Sequence, residues 1–252
     1  MNQDLYPMIF KRKSFHLFRG VGDEKLTEDE LREIERAWAS FEPLCPEIRT
    51  ALRVVPAQKV NFKRDAEYCL MLYSEAKENY LTNAGYLGEQ LDLYLVSRGI
   101  GTLWYGIGKP DEERFEGLDY VIMLAIRKVG DGAQFRKDMF KAKRKDLSET
   151  WSGDTLGVAE IARFAPSACN SQPWFVRSEG GALTVFRRKK PNRVGIMPPA
   201  TAAYFNRIDM GIYLCFLELC LREKGLPFTR ELFPDGSDEP ERAKLAVYRL
   251  AE

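Results

Sequence analysis

Two long apolar segments constrain this chain most, because they recur at one constant spacing. Residues 80–99 and 204–225 each have the apolar stripe of an amphipathic helix, and each ends in glycine, which favours a left-handed C-cap. A shift of 126 residues indicates an internal repeat. Two unrelated amphipathic helices are the alternative, since a terminal glycine is common. The aligned pairs are Gly85 with Gly211, Leu91 with Leu217, Leu93 with Leu219, Leu95 with Leu221, Gly99 with Gly225, Arg98 with Lys224, Asn83 with Asp209 and Asp92 with Glu218.

Length and composition limit the classes of protein to which the chain can belong. Its 252 residues suffice for one large or two modest domains, and a hydrophobic content of 45% is that of a globular protein. The 38 basic and 37 acidic side chains nearly cancel, so no overall field favours nucleic acid or a membrane as partner. The longest strongly apolar run, 120–126, is far too short to span a bilayer.

Cysteine and histidine usage points to a reduced, metal-free protein. The five cysteines are odd in number and lack Cys-x-x-Cys spacing, and residues 1–10 do not have the apolar core of a signal peptide. We therefore expect a cytoplasmic setting in which most of the cysteines are small core residues. With a single histidine and no clustered ligands, we expect no metal site.

The local patterns alternate between helix and strand along the whole chain. Thr27 and Glu30 have the spacing of a capping box at the start of a helix that extends to residue 38. The pattern predicts further helices from residue 7 and over 80–99, 156–164 and 204–225, and strands over 53–56, 68–73, 120–126, 174–176 and 183–186.

A polar turn at residues 165–174 follows the predicted helix over 156–164. It contains Ser167, Asn170 and Gln172 between two prolines, and Pro173 predicts an extended conformation at Gln172. A helix, a turn and a strand would hold these three side chains on a fixed backbone facing one ligand. The alternative is a surface turn with capping Ser and Asn side chains.

Two motifs resemble the signatures of the FMN-dependent nitroreductase family. The turn reads Pro-Ser-x-x-Asn-x-Gln-Pro-Trp over 166–174, which is similar to the family's flavin-contacting signature. Residues 12–18 read Arg-x-Ser-x-x-x-Phe, which is similar to the family's N-terminal hallmark. In ordinary members the Arg-x-Ser motif lies just upstream of the Pro-Ser motif, whereas here about 150 residues separate the two.

The resemblance implies an α+β, nitroreductase-like fold with antiparallel-type sheets flanked by helices. Family members are two-fold dimers that bind FMN where the subunits meet, and a tandem fusion would supply both contributions from one chain. We expect one lobe over 1–145, a second over 146–252, and one FMN between them, so that a monomer suffices. The halves lack complementary parts: residues 43–49 have no Ser, Asn or Gln at the turn position, and residues 225–229 replace the glycine-rich loop.

The resemblance also implies the residues that contact the flavin. Arg12 and Ser14 match the contacts to the phosphate and flavin tail, and Arg144 matches a basic phosphate clamp. His16 stands where the family carries Lys or Arg near the pyrimidine edge, and histidine is a weaker guarantee of charge at neutral pH. For Trp104, burial as a core aromatic is the alternative. The full candidate set is Arg12, Lys13, Ser14, His16, Trp104, Tyr105, Gly106, Ile107, Lys143, Arg144, Pro166, Ser167, Ala168, Asn170 and Gln172.

The function implied by the resemblance is a ping-pong oxidoreductase. NAD(P)H would reduce the flavin and leave, and a small-molecule electron acceptor such as a nitroaromatic or quinone would then take its place. The flavin performs the hydride transfer, so no catalytic side chain is expected. No dinucleotide-binding fingerprint or P-loop is present, and no separate nucleotide domain is expected. A flavin-binding protein without turnover and a structural interaction domain are the alternatives.

Overall fold

A computed structural model of the chain describes residues 5–60, 64–130, 132–189, 198–234 and 241–251. The chain divides into two units, of which unit one comprises Met1–Tyr80 and Leu87–Met139, and unit two comprises Leu81–Tyr86 and Phe140–Glu252. The division falls after Met139, whereas the sequence interpretation placed it after residue 145.

Unit one is built on an antiparallel sheet. The sheet has the strand order β1-β2-β5-β3, and β4 forms a hairpin with β5. Short 3-10 turns lie at Ala57–Lys59, Gly132–Gln134 and Met139–Lys141. The elements are α1 (Tyr6–Lys11), α2 (Glu28–Ser40), β1 (Thr50–Pro56), β2 (Tyr68–Ser74), α3 (Tyr80–Ser97), β3 (Ile100–Tyr105), β4 (Arg114–Phe115) and β5 (Leu118–Lys128).

Unit two is built on a second sheet with the order β6-β7-β8-β10-β9. Only the short β6 pairs in parallel, with β7, and the other pairs are antiparallel. A 3-10 turn lies at Ala168–Asn170. The elements are α4 (Leu147–Thr150), β6 (Trp151–Ser152), α5 (Ala159–Ala162), β7 (Trp174–Glu179), β8 (Ala182–Arg188), α6 (Pro199–Glu223), β9 (Phe228–Leu232) and β10 (Arg242–Leu250).

The two sheets share one topology. Apart from the two-residue strands β4 and β6, each sheet has a hairpin followed by a long helix and two further strands. The last strand lies between the hairpin and the strand before it, so that β1-β2-β5-β3 corresponds to β7-β8-β10-β9. The helices α3 and α6 end at Ser97 and Glu223, which are 126 residues apart (223 − 97). The spacing of the sequence repeat is therefore the spacing of equivalent helix ends.

The helix boundaries follow from local chemistry. The predicted capping box is confirmed: Glu30 N donates to Thr27 Oγ1 at 3.2 Å, and Thr27 N donates to Glu30 Oε2 at 3.0 Å. The long helices are followed by Gly99 and Gly225 at φ 69° and 65°, as predicted. The helix predicted over 156–164 is wrong in length, because Leu156 and Gly157 have left-handed φ values of 54° and 65° and delay its start until Ala159.

Within unit two, the first turns of α3 pack on α6 at backbone distance. A Cβ atom on Gly85 would lie 2.0 Å from the Ile208 carbonyl oxygen, and one on Gly211 would lie 1.9 Å from the Thr82 carbonyl oxygen. The contact is reciprocal, because the 126-residue shift relates Thr82 to Ile208 (82 + 126 = 208) and Gly85 to Gly211 (85 + 126 = 211).

Replacing Gly211 with alanine is expected to destabilise the protein by about 3 kcal/mol or more, because the added methyl group meets backbone that cannot rotate away. Thermal and urea unfolding followed by circular dichroism measure the loss. Gly132→Ala is the matched control: a Cβ there has open space around it, and the change should stay within about 0.5 kcal/mol. Equal unfolding midpoints for the two variants would show that the helices do not approach this closely.

Candidate functional site

The arginine of the Arg-x-Ser motif is buried beside two carboxylates. Arg12 follows α1 directly and is 6% exposed. Its Nε donates to Asp92 Oδ2 at 2.7 Å, and the same nitrogen lies 3.4 Å from Glu89 Oε1. Burial lowers the pKa of Arg12, but the charges of Asp92 and Glu89 outweigh this and raise it overall. The guanidinium therefore stays charged and is bound within unit one.

Asp92 is the hub of this cluster. The carboxylate is fully buried and also accepts hydrogen bonds from Thr102 Oγ1 and, at 2.9 Å, from Trp104 Nε1. Trp104 thus ties the end of β3 to α3. One turn away, both oxygens of Glu89 are buried without a hydrogen-bond partner among the described residues. Burial raises the pKa of Glu89 well above its usual value and the Asp92 charge adds to this, whereas the charge of Arg12 acts to lower it.

The residues after Arg12 lie along the edge of β3. Ser14 forms a parallel bridge with Thr102, and Phe15 N donates to the Thr102 carbonyl oxygen at 2.9 Å. The Lys13 ammonium donates to the Gln134 carbonyl oxygen and lies 4.6 Å from the centre of the Phe15 ring. Ser14 is half-buried and His16 is exposed, so both remain accessible to a ligand.

The loop after β3 is open to solvent. Tyr105 is half-buried and Gly106 is exposed. Ile107 is 72% exposed, more than any other large apolar side chain in the described ranges. The glycine at residue 106 allows a ligand to approach the backbone of this loop closely. Elsewhere in unit one, a cavity of about 300 Å³ between α2 and α3, lined in part by Phe41, Gln90 and Tyr94, contains none of the candidate residues.

In unit two, the Pro-Ser turn has an unusual backbone. Cys169, Asn170 and Gln172 all have left-handed φ values, 49°, 57° and 47°. The sequence predicted an extended Gln172 ahead of Pro173, and this prediction is wrong. The Ser167 hydroxyl accepts a hydrogen bond from Gln172 N at 3.0 Å, which folds the chain back on itself. Left-handed residues other than glycine are costly and cluster at functional sites.

Basic residues pack directly on this turn. Arg144 donates to Asn170 Oδ1 at 3.2 Å and to the Phe164 carbonyl oxygen at 2.8 Å. Asn170 Nδ2 donates to the Lys143 carbonyl oxygen at 3.1 Å, and the Lys145 backbone N donates to Gln172 Oε1 at 2.9 Å. The basic segment and the turn therefore form one cluster of unit two, with the side chains of Lys143 and Asn170 exposed.

The turn is held on α6 by an acid that sequence reasoning missed. Asp209 is buried and accepts from Ala168 N at 2.9 Å, and Ser171 Oγ lies 3.3 Å from its Oδ2 and donates to Asn206 Oδ1 at 2.9 Å. Burial raises the pKa of Asp209 to about 7, although the bonds from Ala168 and Ser171 act to lower it. The sequence feature that could have revealed it is the pair Asn206 and Asp209, three residues apart on a largely apolar helix.

The candidate residues thus form two groups. Unit one brings together Arg12, Lys13, Ser14, His16 and the residues 104–107, and unit two brings together Lys143, Arg144 and the residues 166–172. The described residues contain no group of three or more His, Cys, Asp or Glu side chains placed to hold a metal ion. None of the five cysteines, all of which lie in the described ranges, forms a disulfide, and Cys169 is the exposed one.

Comparison with known proteins identifies the family. A family model described as "Putative TM nitroreductase" matches residues 4–221. The match spans most of the sequence, and the chain therefore belongs to this nitroreductase family. A search of curated proteins finds no match.

Solved structures agree on the fold. A Thermotoga maritima protein described as a "putative nitroreductase" aligns with a TM-score of 0.61 and 20% identity over 99% of this chain and 94% of that chain. A nitroreductase family protein from Clostridium difficile aligns at 0.44 and 15% identity over 59% of this chain and 96% of its own. Iodotyrosine deiodinase bound to FMN and 3-iodo-L-tyrosine aligns at 0.37 and 16% identity, over 56% and 95%. The alignment with the Thermotoga maritima protein establishes an α+β, nitroreductase-like fold.

Removing the Asp92 carboxylate is expected to lower the free energy of unfolding by about 3–5 kcal/mol, because Asp92→Ala leaves the buried Arg12 guanidinium and the Trp104 N–H without their acceptor. Denaturant unfolding measures the effect. Asp119→Ala breaks an exposed pair with Arg114 in the same unit and should cost less than about 1 kcal/mol. A cost as small as that of the control would show that Arg12 does not depend on Asp92.

Asp209 is expected to make stability depend on pH. Its folded-state pKa of about 7 is above the ordinary 3.8, so its stabilising contribution is complete at acidic pH and is lost as the pH rises through 7. The full effect is about 4 kcal/mol. Urea unfolding of the wild type and Asp209→Asn between pH 4 and pH 8 measures it, since asparagine keeps the hydrogen bonds of the neutral acid. Parallel stability curves for the two proteins would contradict the assignment.

Proposed function

We propose that this chain binds one FMN and uses it as an oxidoreductase that takes hydride from NAD(P)H. The observation that carries the proposal is the Pro-Ser turn of a nitroreductase-family chain, whose three left-handed residues are stabilised by the buried Asp209. Backbone strain of this kind is retained where surrounding structure enforces it and a ligand uses it. The second family motif, at residues 12–18, supports the same conclusion.

The residues present fit FMN in most respects. An FMN site requires polar groups for the ring edge and ribityl chain, backbone that allows close approach, and cations for the phosphate. Exposed or half-buried groups that supply these are Ser14, His16, Gly106, Ser167 and Asn170. Arg12 fits less well as a phosphate ligand, because Asp92 already neutralises its charge.

The bound FMN would supply the redox chemistry, and the chain would supply binding and orientation. We propose that the 166–172 turn contacts the ring and ribityl chain, that the 104–107 loop approaches the ring through backbone amides, and that Lys143 and Arg144 add positive charge. His16 would lie near the pyrimidine edge. Ile107 would exclude water from the face on which the nicotinamide and then a nitroaromatic or quinone acceptor bind.

We further propose that the chain arose by duplication and is a pseudo-dimer with its FMN between two related lobes. Three observations support this: the shared strand order of the two sheets, the helix ends 126 residues apart, and the reciprocal glycine contacts. A dimer fused in this way needs no second copy, so we expect a monomer. None of the helices in the described ranges is long and apolar enough to cross a membrane.

The absorbance spectrum of the purified chain is expected to show bound flavin at one FMN per polypeptide, and the protein should oxidise NADH or NADPH with menadione or nitrofurazone as acceptor. Asn170→Ala should weaken FMN binding about tenfold, because it removes one polar contact and the brace to Arg144. Flavin bound without turnover would assign a storage or sensing role, two flavins per chain would exclude the shared site, and a colourless protein that FMN does not reconstitute would refute the proposal.

A further inference from the structure

The segment 134–136 pairs with the Arg-x-Ser motif along its length. Arg136 N donates to the Lys11 carbonyl oxygen at 2.9 Å, and Arg136 Nε donates to the Arg12 carbonyl oxygen at 2.9 Å. The Lys13 ammonium donates to the Gln134 carbonyl oxygen. Residues 11–13 and 134–136 are therefore two hydrogen-bonded segments of unit one, and they bring Arg136 close enough to Arg12 that the charge of Arg12 lowers its pKa.

The two arginines of these segments differ in whether a carboxylate balances their charge. Arg12 is held by Asp92 and lies beside Glu89, whereas Arg136 has no carboxylate partner anywhere in the described parts of the chain. Arg136 is half-buried, and both its burial and the nearby charge of Arg12 lower its pKa. A guanidinium that has lost part of its hydration without gaining a counter-ion is unfavourable, and an anion bound beside it would remove that cost.

Arg12 and Arg136 both use Nε for these contacts, but Arg12 is 6% exposed and its Nη2 donates to Ser14 Oγ at 3.5 Å, whereas Arg136 is the more accessible of the two. Its Nε is occupied by the Arg12 carbonyl oxygen, which leaves the two terminal nitrogens of the fork for a bidentate ligand. Lys13 has one of its three ammonium donors in use, and the half-buried Ser14 hydroxyl is next in the chain. Two cations and a hydroxyl are the complement of a phosphate monoester dianion.

We propose that Arg136, with Lys13 and Ser14, is the phosphate-binding group of unit one, and that Arg12 is a positioning residue. The ligand is a phosphate monoester dianion, which on the function proposed above is the phosphate of FMN. Asp92 locks the side chain of Arg12, whose Nη2 donates to the Ser14 hydroxyl at 3.5 Å. The Arg12 carbonyl oxygen orients Arg136. The charge of Arg12 is thereby neutralised by Asp92 within the unit, and Arg136 supplies the charge that binds the phosphate.

Comparing FMN with riboflavin, which lacks the phosphate, isolates this role. Titrations followed by flavin fluorescence should show that the wild type prefers FMN by about tenfold or more, and that Arg136→Gln loses this preference while its riboflavin affinity is unchanged. Arg136→Lys should retain part of the preference. Arg114→Gln removes an exposed arginine of the same unit and should behave as the wild type. Circular dichroism confirms that each variant is folded.

Inorganic phosphate provides a second arm that does not depend on flavin. At constant ionic strength set with chloride, phosphate should raise the melting temperature of the wild type and of Arg114→Gln but not that of Arg136→Gln. If the wild type binds neither flavin, the FMN proposal fails, and loss of phosphate protection in Arg136→Gln still supports the anion site. The inference is overturned if Arg136→Gln keeps both the FMN preference and the phosphate protection, or if the wild type has no phosphate protection.

Discussion

Each long helix of this protein buries a carboxylate, and the surrounding structure is arranged to satisfy it. Asp92 on α3 accepts from Arg12, Thr102 and Trp104, and Glu218 on α6 accepts from Tyr86, Tyr248 and Arg230. A buried charge without partners costs several kcal/mol, so these donors must be in place for the fold to be stable. Both carboxylates also bind the strand after their helix, through Trp104 in β3 and Arg230 in β9.

The two carboxylates are equivalent positions with different neighbours. They are separated by the repeat shift (218 − 92 = 126), and so are their strand partners (230 − 104 = 126). In unit one a third donor is Arg12, the motif arginine, whereas unit two has no Arg-x-Ser motif and uses the hydroxyls of Tyr86 and Tyr248 instead. The same electrostatic requirement is thus met by different residues in the two units.

The features predicted correctly from sequence depend on local chemistry. The capping box at Thr27, the glycine after each long helix and the strands at 68–73 and 183–186 follow from hydrogen bonds or alternation within a few residues. The repeat was visible because two helix ends recur at one shift. The family itself was recognisable because two short motifs are each specific.

The features that were missed depend on residues distant in sequence. The left-handed Gln172 is set by the hydroxyl of Ser167 and the α6 acid Asp209, and Pro173 alone predicts the opposite. The partners of Arg12 lie some 80 residues away, and its contact with Arg136 spans 124. No pattern in either segment reveals which carboxylate or carbonyl oxygen will face it.

The role of a motif arginine is therefore decided by what it faces. An arginine that pairs with a buried carboxylate has little charge left to attract a phosphate, because the field of the ion pair falls off faster than that of a single cation. Asp92 makes Arg12 such a residue, and it leaves Arg136 as the neighbouring cation with an unmatched charge. In the proposed site, the motif specifies where the anion binds through the contacts of Arg12 with Ser14 and Arg136, and a residue outside the motif supplies the charge that binds it.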